Sequence, residues 1–152
     1  MIVRLPFLDM KADKEDFSVE NAELENLDPV GRVTWSWNHF GEGLVMSTSF
    51  GLQSAVMLHL VSRVSGNIPI VFVDTGYLFP ETYEYAEVLR ERLGIEPKIY
   101  KASLSPTEQE DRFGKLWEQG KETMVKYNLI NKVEPMQRAL KELGATAWLA
   151  GL

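Results

Sequence analysis

The residues with most chemical potential lie together at Ser47-Thr48-Ser49-Phe50-Gly51-Leu52-Gln53-Ser54, between the apolar runs Leu44-Val45-Met46 and Ala55 onward. That order predicts a strand, a loop of small residues and a helix. Such a loop collects backbone N–H groups and hydroxyls at a helix N-terminus, where the dipole favours an anion. Phosphate or sulfate is the ligand class this chemistry suits. No lysine follows the glycine, so the loop is not a G-x-x-x-x-G-K-[ST] phosphate loop. Counter-charge must come from the backbone, the hydroxyls and basic groups elsewhere. The alternative is a plain serine-rich connection in which Ser54 only caps the helix.

A second group, Asp74-Thr75-Gly76, follows the run Pro69-Ile70-Val71-Phe72-Val73. The tripeptide also occurs in aspartic proteases, but those are all-β, and here an amphipathic helix follows within a few residues. Asp74 is alternatively a strand-end carboxylate capping the next turn. Lys132, Arg138 and Lys141 form either a solvated helix face or the source of the missing cation. His59 reads as a packed or partly exposed helix residue, and His39 as a helix-end residue favoured by the dipole. Trp117 and Trp148 read as core residues rather than stacking platforms.

The elements that must position these groups follow from periodicity. Residues 1–16, charged and weakly patterned, read as a mobile arm or loop. Ser18 is placed to cap a short helix through Leu27, and Pro29 to open a second helix to about Asn38, with Trp35 and Trp37 on different sides. Strands are expected at Leu44–Ser47, Pro69–Val73, Lys98–Tyr100 and Ala147–Ala150. The Pro69–Val73 run is continuous and apolar, as in a parallel strand buried on both faces. Helices are expected at Ser54–Ser65, apolar nearly all round and so buried, at Pro80–Leu93 with Gly94 as C-cap, and at Val133–Leu143. Residues 103–132 show no clear pattern. The alternation of strand and helix predicts an α/β fold with a doubly wound, mostly parallel sheet. Ligands of such sheets lie at the carboxyl ends of the strands, where both motif segments fall. Residues 1–40 are expected as an N-terminal arm and helices, and 41–152 as the α/β domain.

Composition narrows the function. The 152 residues carry 16 Lys and Arg against 22 Asp and Glu, a net charge of −6, which argues against general nucleic-acid binding. There is no cysteine and there are two histidines, which leaves no disulfide, thiolate cluster or cysteine nucleophile within these residues and disfavours a histidine metal site. No apolar run reaches the roughly 18 residues of a membrane span, and no signal-peptide pattern opens the chain, so a cytoplasmic protein is expected.

Several segments taken in order resemble one family. Ser47–His59 (S-T-S-F-G-L-Q-S-A-V-M-L-H) is similar to the pyrophosphate loop of phosphoadenylyl-sulfate (PAPS) reductases, in the adenine nucleotide alpha-hydrolase-like group. Asp74–Tyr83 (D-T-G-Y-L-F-P-E-T-Y) resembles the family's second signature, and Lys126–Met136 (K-Y-N-L-I-N-K-V-E-P-M) its third. Gly114–Glu118 and Trp148–Leu152 fit as well. The resemblance implies reduction of PAPS to sulfite and adenosine 3′,5′-bisphosphate in sulfate assimilation. A cysteine attacks the sulfur, and thioredoxin or glutaredoxin releases sulfite from the resulting thiosulfonate; members are commonly homodimers. It also implies that Ser47, Ser49, Gly51 and Ser54 hold the phosphosulfate end with Gln53 helping at the helix start, that Asp74, Thr75 and Gly76 lie beside the adenosine, and that Lys132 lies near the sulfate.

Tyr127 and Asn128 stand where the related adenylyl-sulfate reductases carry the Cys-Cys pair of an iron–sulfur cluster, so no cluster and no other cofactor is expected. The family's catalytic cysteine, in a C-terminal Glu-Cys-Gly-Leu-His segment, has no counterpart here, nor does the arginine-rich stretch after Gly-Leu. The chain therefore looks cut short, with no catalytic residue of its own. Two other readings remain: an adenylyltransferase like the small subunit of ATP sulfurylase, or a non-catalytic nucleotide-binding module. Gln53 stands where the former carries an acidic residue.

Overall fold

The computed structural model describes residues 2–4 and 17–151. They form a five-stranded sheet of β1 (Ile2–Arg4), β2 (Leu44–Thr48), β3 (Ile70–Asp74), β4 (Lys98–Lys101) and β5 (Ala147–Leu149), in the order β1-β5-β2-β3-β4. Strands β5, β2, β3 and β4 run parallel, and β1 joins the edge antiparallel to β5. This is the doubly wound, mostly parallel α/β fold expected from the alternation of elements.

The chain moves from β2 to β3 to β4 on one side, then returns to place β5 on the other side of β2. The order therefore reverses between β2 and β5. At such a switch point the loops leaving the two strands diverge and open a crevice at their carboxyl ends.

Both faces of the central strands are buried, as continuous apolar runs predict. Leu44 and Met46 of β2, Ile70 and Phe72 of β3, and Ala147 and Leu149 of β5 share one core with Val33, Leu58, Val61 and Leu89. These come from α2 (Pro29–Phe40), α3 (Ser54–Val64) and α4 (Pro80–Leu93). Val45 and Val71, on the opposite face by the strand's two-residue alternation, are equally buried. There α7 (Glu134–Glu142), with Ala139 and Leu140 buried, packs across β3 and β4.

Helix boundaries follow local chemistry. Asp28 caps α2 by accepting from the Gly31 N–H at 2.6 Å, and Pro29 occupies the first turn. Pro80 opens α4 and Gly94, left-handed at φ 61°, closes it.

Four features differ from the sequence reading. Ile2–Arg4, expected within an arm or loop, is a strand; the rest of that expectation, residue 1 and residues 5–16, lies outside the described residues. The first helix, α1 (Ser18–Glu25), starts at Ser18 with Phe17 in the cap position, so Ser18 is not its N-cap. Helix α3 is not buried all round: only Leu58 and Val61 are fully enclosed, while Val56 is 63 % exposed. The unpatterned region 103–132 resolves into α5 (Pro106–Phe113), a 3-10 turn at Leu116–Glu118, α6 (Lys121–Asn128) and a π-helical turn at Leu129–Val133 that runs into α7. Trp37 packs on the core while Trp35 stacks on His39, so the two tryptophans do serve different sides of α2.

Candidate nucleotide-binding site

An open cleft of ≈ 1530 Å³ lies at the carboxyl ends of β2, β3 and β5. Ser47, Ser49, Gly51, Gln53, Ser54, Thr75 and Lys132 all line it. The volume exceeds the roughly 300–1,000 Å³ of enclosed small-molecule sites because one side is open.

The loop after β2 is held in an uncommon shape. Thr48 Oγ1 accepts the Phe50 N–H at 3.1 Å, and Phe50 adopts a left-handed φ of 52°. That conformation costs a non-glycine residue on the order of 1–3 kcal/mol. It is retained because the Phe50 ring is buried edge-on against Phe72, with centroids 4.9 Å apart. The turn directs the chain toward α3, whose N-cap is Gln53 rather than Ser54. The N–H groups of Gly51, Leu52 and Gln53 find no protein acceptor among the described residues, so they are available to an anion.

The charge distribution agrees with that polarity. Although the chain is acidic, no Asp or Glu among the described residues lines the cleft, and Lys132 is the one basic residue among them that does. No carboxylate pairs with Lys132 among the described residues; its Nζ lies 5.9 Å from the Tyr127 ring centre. Arg138 is used elsewhere, bonded to Glu134 and donating to the Lys101 carbonyl at 2.6 Å, and Lys141 is an exposed helix residue. Of the three basic residues, Lys132 alone belongs to the cleft.

Lys132 sits on the π-helical turn, and the turn is anchored from within. Asn131 and Gln109 are buried and exchange reciprocal amide hydrogen bonds of 2.8 and 2.9 Å. Gln109 Nε2 also donates to the Leu104 carbonyl, and Asn131 Nδ2 to the Tyr127 carbonyl. A satisfied buried pair of this kind fixes α5 against the turn. The rings of Tyr77, Trp117 and Tyr127 pack together beside it at 4.8–5.9 Å.

Asp74 and Gly76 are not among the lining residues. The Asp74 carboxylate is 5 % exposed and fully engaged. It accepts from the Gly76 N–H at 2.9 Å and from the Tyr83 hydroxyl at 2.7 Å, and pairs with Lys101 Nζ at 3.1 Å. Burial alone would raise its pKa, but the bonds from Tyr83, Gly76 and Lys101 outweigh it and hold the carboxyl below its ordinary value. Burial, together with the Asp74 charge, pushes the Tyr83 phenol up to about 12. Gly76 has φ 75°, and a Cβ there would lie 2.6 Å from Pro106 Cγ. Asp74 and Gly76 thus shape the turn that presents Thr75.

Sequence reasoning missed Trp148. It reads as a core residue, yet its half-buried indole lines the cleft and donates Nε1–H to Ser47 Oγ at 2.9 Å. Only knowledge that β5 lies beside β2 reveals this contact. Gln109 and Asn131 were likewise invisible, being polar residues in short, weakly periodic helices.

A family model described as the phosphoadenosine phosphosulfate reductase domain matches residues 43–152, which include every cleft residue. The chain belongs to the phosphoadenosine phosphosulfate reductase family. Curated phosphoadenosine 5′-phosphosulfate reductases of Klebsiella pneumoniae and Escherichia coli are 54 % and 55 % identical over 132 residues, 87 % of this chain and 54 % of each relative. The chain thus spans about half the length of these relatives. Among solved structures, a Candida auris PAPS reductase in complex with phosphate superposes with a TM-score of 0.76 at 31 % identity, covering 88 % of this chain and 65 % of that one. An NH3-dependent NAD synthetase of Campylobacter jejuni shares the fold, with a TM-score of 0.51 at 18 % identity over 84 % of this chain and 52 % of that one. The adenine nucleotide alpha-hydrolase-like fold of the reductase family is thereby established for this chain.

Proposed function

We propose that the cleft binds the phosphosulfate end of PAPS, and adenosine 3′,5′-bisphosphate after reduction, as the nucleotide-binding part of a PAPS reductase in sulfate assimilation. The observation that carries this reading is the convergence, at the switch point, of unpaired loop N–H groups, serine hydroxyls and Lys132 in a cleft without carboxylates among the described residues. Ser47, Ser49, Gly51, Gln53 and Ser54 surround the anion, Lys132 supplies its counter-charge, and Thr75 stands toward the adenosine. Asp74 and Gly76 act on the site through the turn they hold. That the Candida auris relative was solved with phosphate supports an anion site in this fold.

The chemistry divides accordingly. A thiolate attacks the PAPS sulfur, the bond from sulfur to the bridging phosphate oxygen breaks, and adenosine 3′,5′-bisphosphate leaves. Reduced thioredoxin or glutaredoxin then gives two electrons to the thiosulfonate, becoming a disulfide and releasing sulfite. The cleft residues orient the sulfur and stabilise charge on the leaving phosphate. The attacking thiol comes from outside these 152 residues, which hold no cysteine. No iron–sulfur cluster takes part, because Tyr127 and Asn128 offer no thiolate ligand. No helix among the described residues is long and apolar enough to cross a membrane. The family resemblance alone leads us to place the protein in the cytoplasm as a homodimer.

Calorimetric titration with adenosine 3′,5′-bisphosphate, AMP and ATP tests the reading. Preference for the bisphosphate supports it. Tighter, magnesium-dependent binding of ATP would favour the adenylyltransferase alternative instead.

A further inference from the structure

We propose that Trp148 is a positioning residue whose indole N–H sets the hydrogen-bond polarity of Ser47, making the serine hydroxyl a dedicated donor to the anion in the cleft. This rests on the reading of the cleft as the phosphosulfate site.

Val45 of β2 is aligned with Trp148 of β5 in a parallel pair. Side chains alternate along a strand, so Val45 and Ser47 share the face on which the indole lies. From there Trp148 Nε1 reaches diagonally to Ser47 Oγ at 2.9 Å. This link spans the two strands between which the sheet order reverses, directly below the loop that carries Ser49–Ser54.

Donor and acceptor chemistry gives the bond its meaning. An indole N–H can only donate, whereas a serine hydroxyl has one proton and two lone pairs. With one lone pair of Ser47 Oγ taken by the indole, the hydroxyl proton has to point elsewhere. No protein group among the described residues accepts it, and Ser47 lines the cleft. A phosphate or sulfate offers only acceptor oxygens, so it complements a hydroxyl held in this sense. Without the indole, the hydroxyl is free to turn its lone pairs toward the ligand, and part of the binding free energy is spent on reorienting it.

A packing role for Trp148 predicts something different, so the two are separable by a double-mutant cycle. The probe is adenosine 3′,5′-bisphosphate, titrated into wild type, Trp148→Phe, Ser47→Ala and the double variant, each checked by thermal melting. Phe keeps an aromatic ring but removes the N–H. Ser47→Ala is expected to weaken binding about tenfold or more, as loss of a bond to a charged group does. Trp148→Phe is expected to weaken it about threefold to tenfold when Ser47 is present, and not at all when it is added to Ser47→Ala. An equal loss in both backgrounds, or no loss in either, would overturn the proposal while leaving the site reading intact. A wild-type protein that binds no bisphosphate would refute the site reading itself, and the proposal with it.

A second measurement does not require the Trp148 variant to fold. The wild type has 4 tryptophans. In 15N-labelled protein, one indole N–H resonance should shift both on Ser47→Ala and on addition of the bisphosphate. If no indole resonance responds to Ser47→Ala, the Trp148–Ser47 link is absent in solution and the inference fails.

Discussion

Substitution of Asp74 by Asn separates a scaffold carboxylate from a ligand-binding one. The carboxylate is buried and has three partners, at 2.7, 2.9 and 3.1 Å. An Asn Oδ1 can still accept from the Gly76 N–H and, more weakly, from the Tyr83 hydroxyl. Its amide NH2 then replaces the oxygen that faces Lys101. Converting the short Tyr83 bond from charge-assisted to neutral costs about 1 kcal/mol. The Lys101 side chain is 65 % exposed, so losing that pair adds only about 0.5 kcal/mol after solvent screening. The sum, about 1–2 kcal/mol, corresponds to roughly 3–6 °C in Tm for a domain of this size.

The pH dependence has a definite sign. The native pKa of Asp74 lies below its unfolded value, so its contribution is complete above the ordinary carboxylate value. It is lost as pH falls through the depressed native value. The gap in Tm between wild type and Asp74→Asn should therefore be constant at neutral pH and close under acid conditions. Melting curves across the pH range, paired with bisphosphate titrations at neutral pH, are the assay. A variant that melts like wild type yet binds the bisphosphate tenfold more weakly would show Asp74 touching the ligand, and the reasoning would be refuted.

Three further outcomes are expected. Lys132→Met removes the one cation that lines the cleft among the described residues while keeping its apolar stem, and should weaken bisphosphate binding about tenfold to a hundredfold with Tm nearly unchanged; calorimetry and melting check both halves. Gln109→Leu leaves Asn131 Oδ1 buried without its partner, and urea denaturation should show a loss of about 1–3 kcal/mol. Gly76→Ala forces a left-handed alanine against the Pro106 ring and should destabilise the fold by about 1–3 kcal/mol or more by the same measurement.

The parts of the fold legible in the sequence are those fixed by local rules. Pro80 and Gly94 bound α4 because one fits a first helical turn and the other a left-handed end. The run Ile70–Val73 declares a parallel strand because both of its faces meet apolar neighbours. The loop at Ser47–Ser54 was legible as a strand-to-helix connection lining a cleft because its small residues lie between an apolar strand and a helix. What depends on partners distant in sequence was not legible. Ile2–Arg4 is a strand only because β5, at the far end of the chain, offers it an edge. Region 103–132 hid its helices because Pro106, Gly114 and Gly120 divide it into short pieces, and the residue α5 buries is the polar Gln109. Helix α3 looked buried all round, but its first turn opens onto the cleft, leaving Val56 exposed.

The site followed the same division. The cleft-lining serines and Lys132 were found by residue type and by resemblance. Asp74 was placed beside the adenosine by resemblance and, alternatively, read as a strand-end cap of the next turn; its bonds to the Gly76 N–H, Tyr83 and Lys101 fit the second reading. Trp148 was missed because no property of Ala147-Trp148-Leu149 reveals which strand lies alongside.

The most direct test of the account is a crystal structure of this chain grown with adenosine 3′,5′-bisphosphate. A phosphate is expected within hydrogen-bond reach, roughly 2.7–3.2 Å, of the Gly51–Gln53 N–H groups and the Ser47 hydroxyl, with Lys132 turned toward it. The opposite end of the sheet holds a smaller depression of ≈ 280 Å³ lined by Ser65, Asn67 and Lys98. A bisphosphate bound there, with the carboxyl-end cleft empty, would contradict the account.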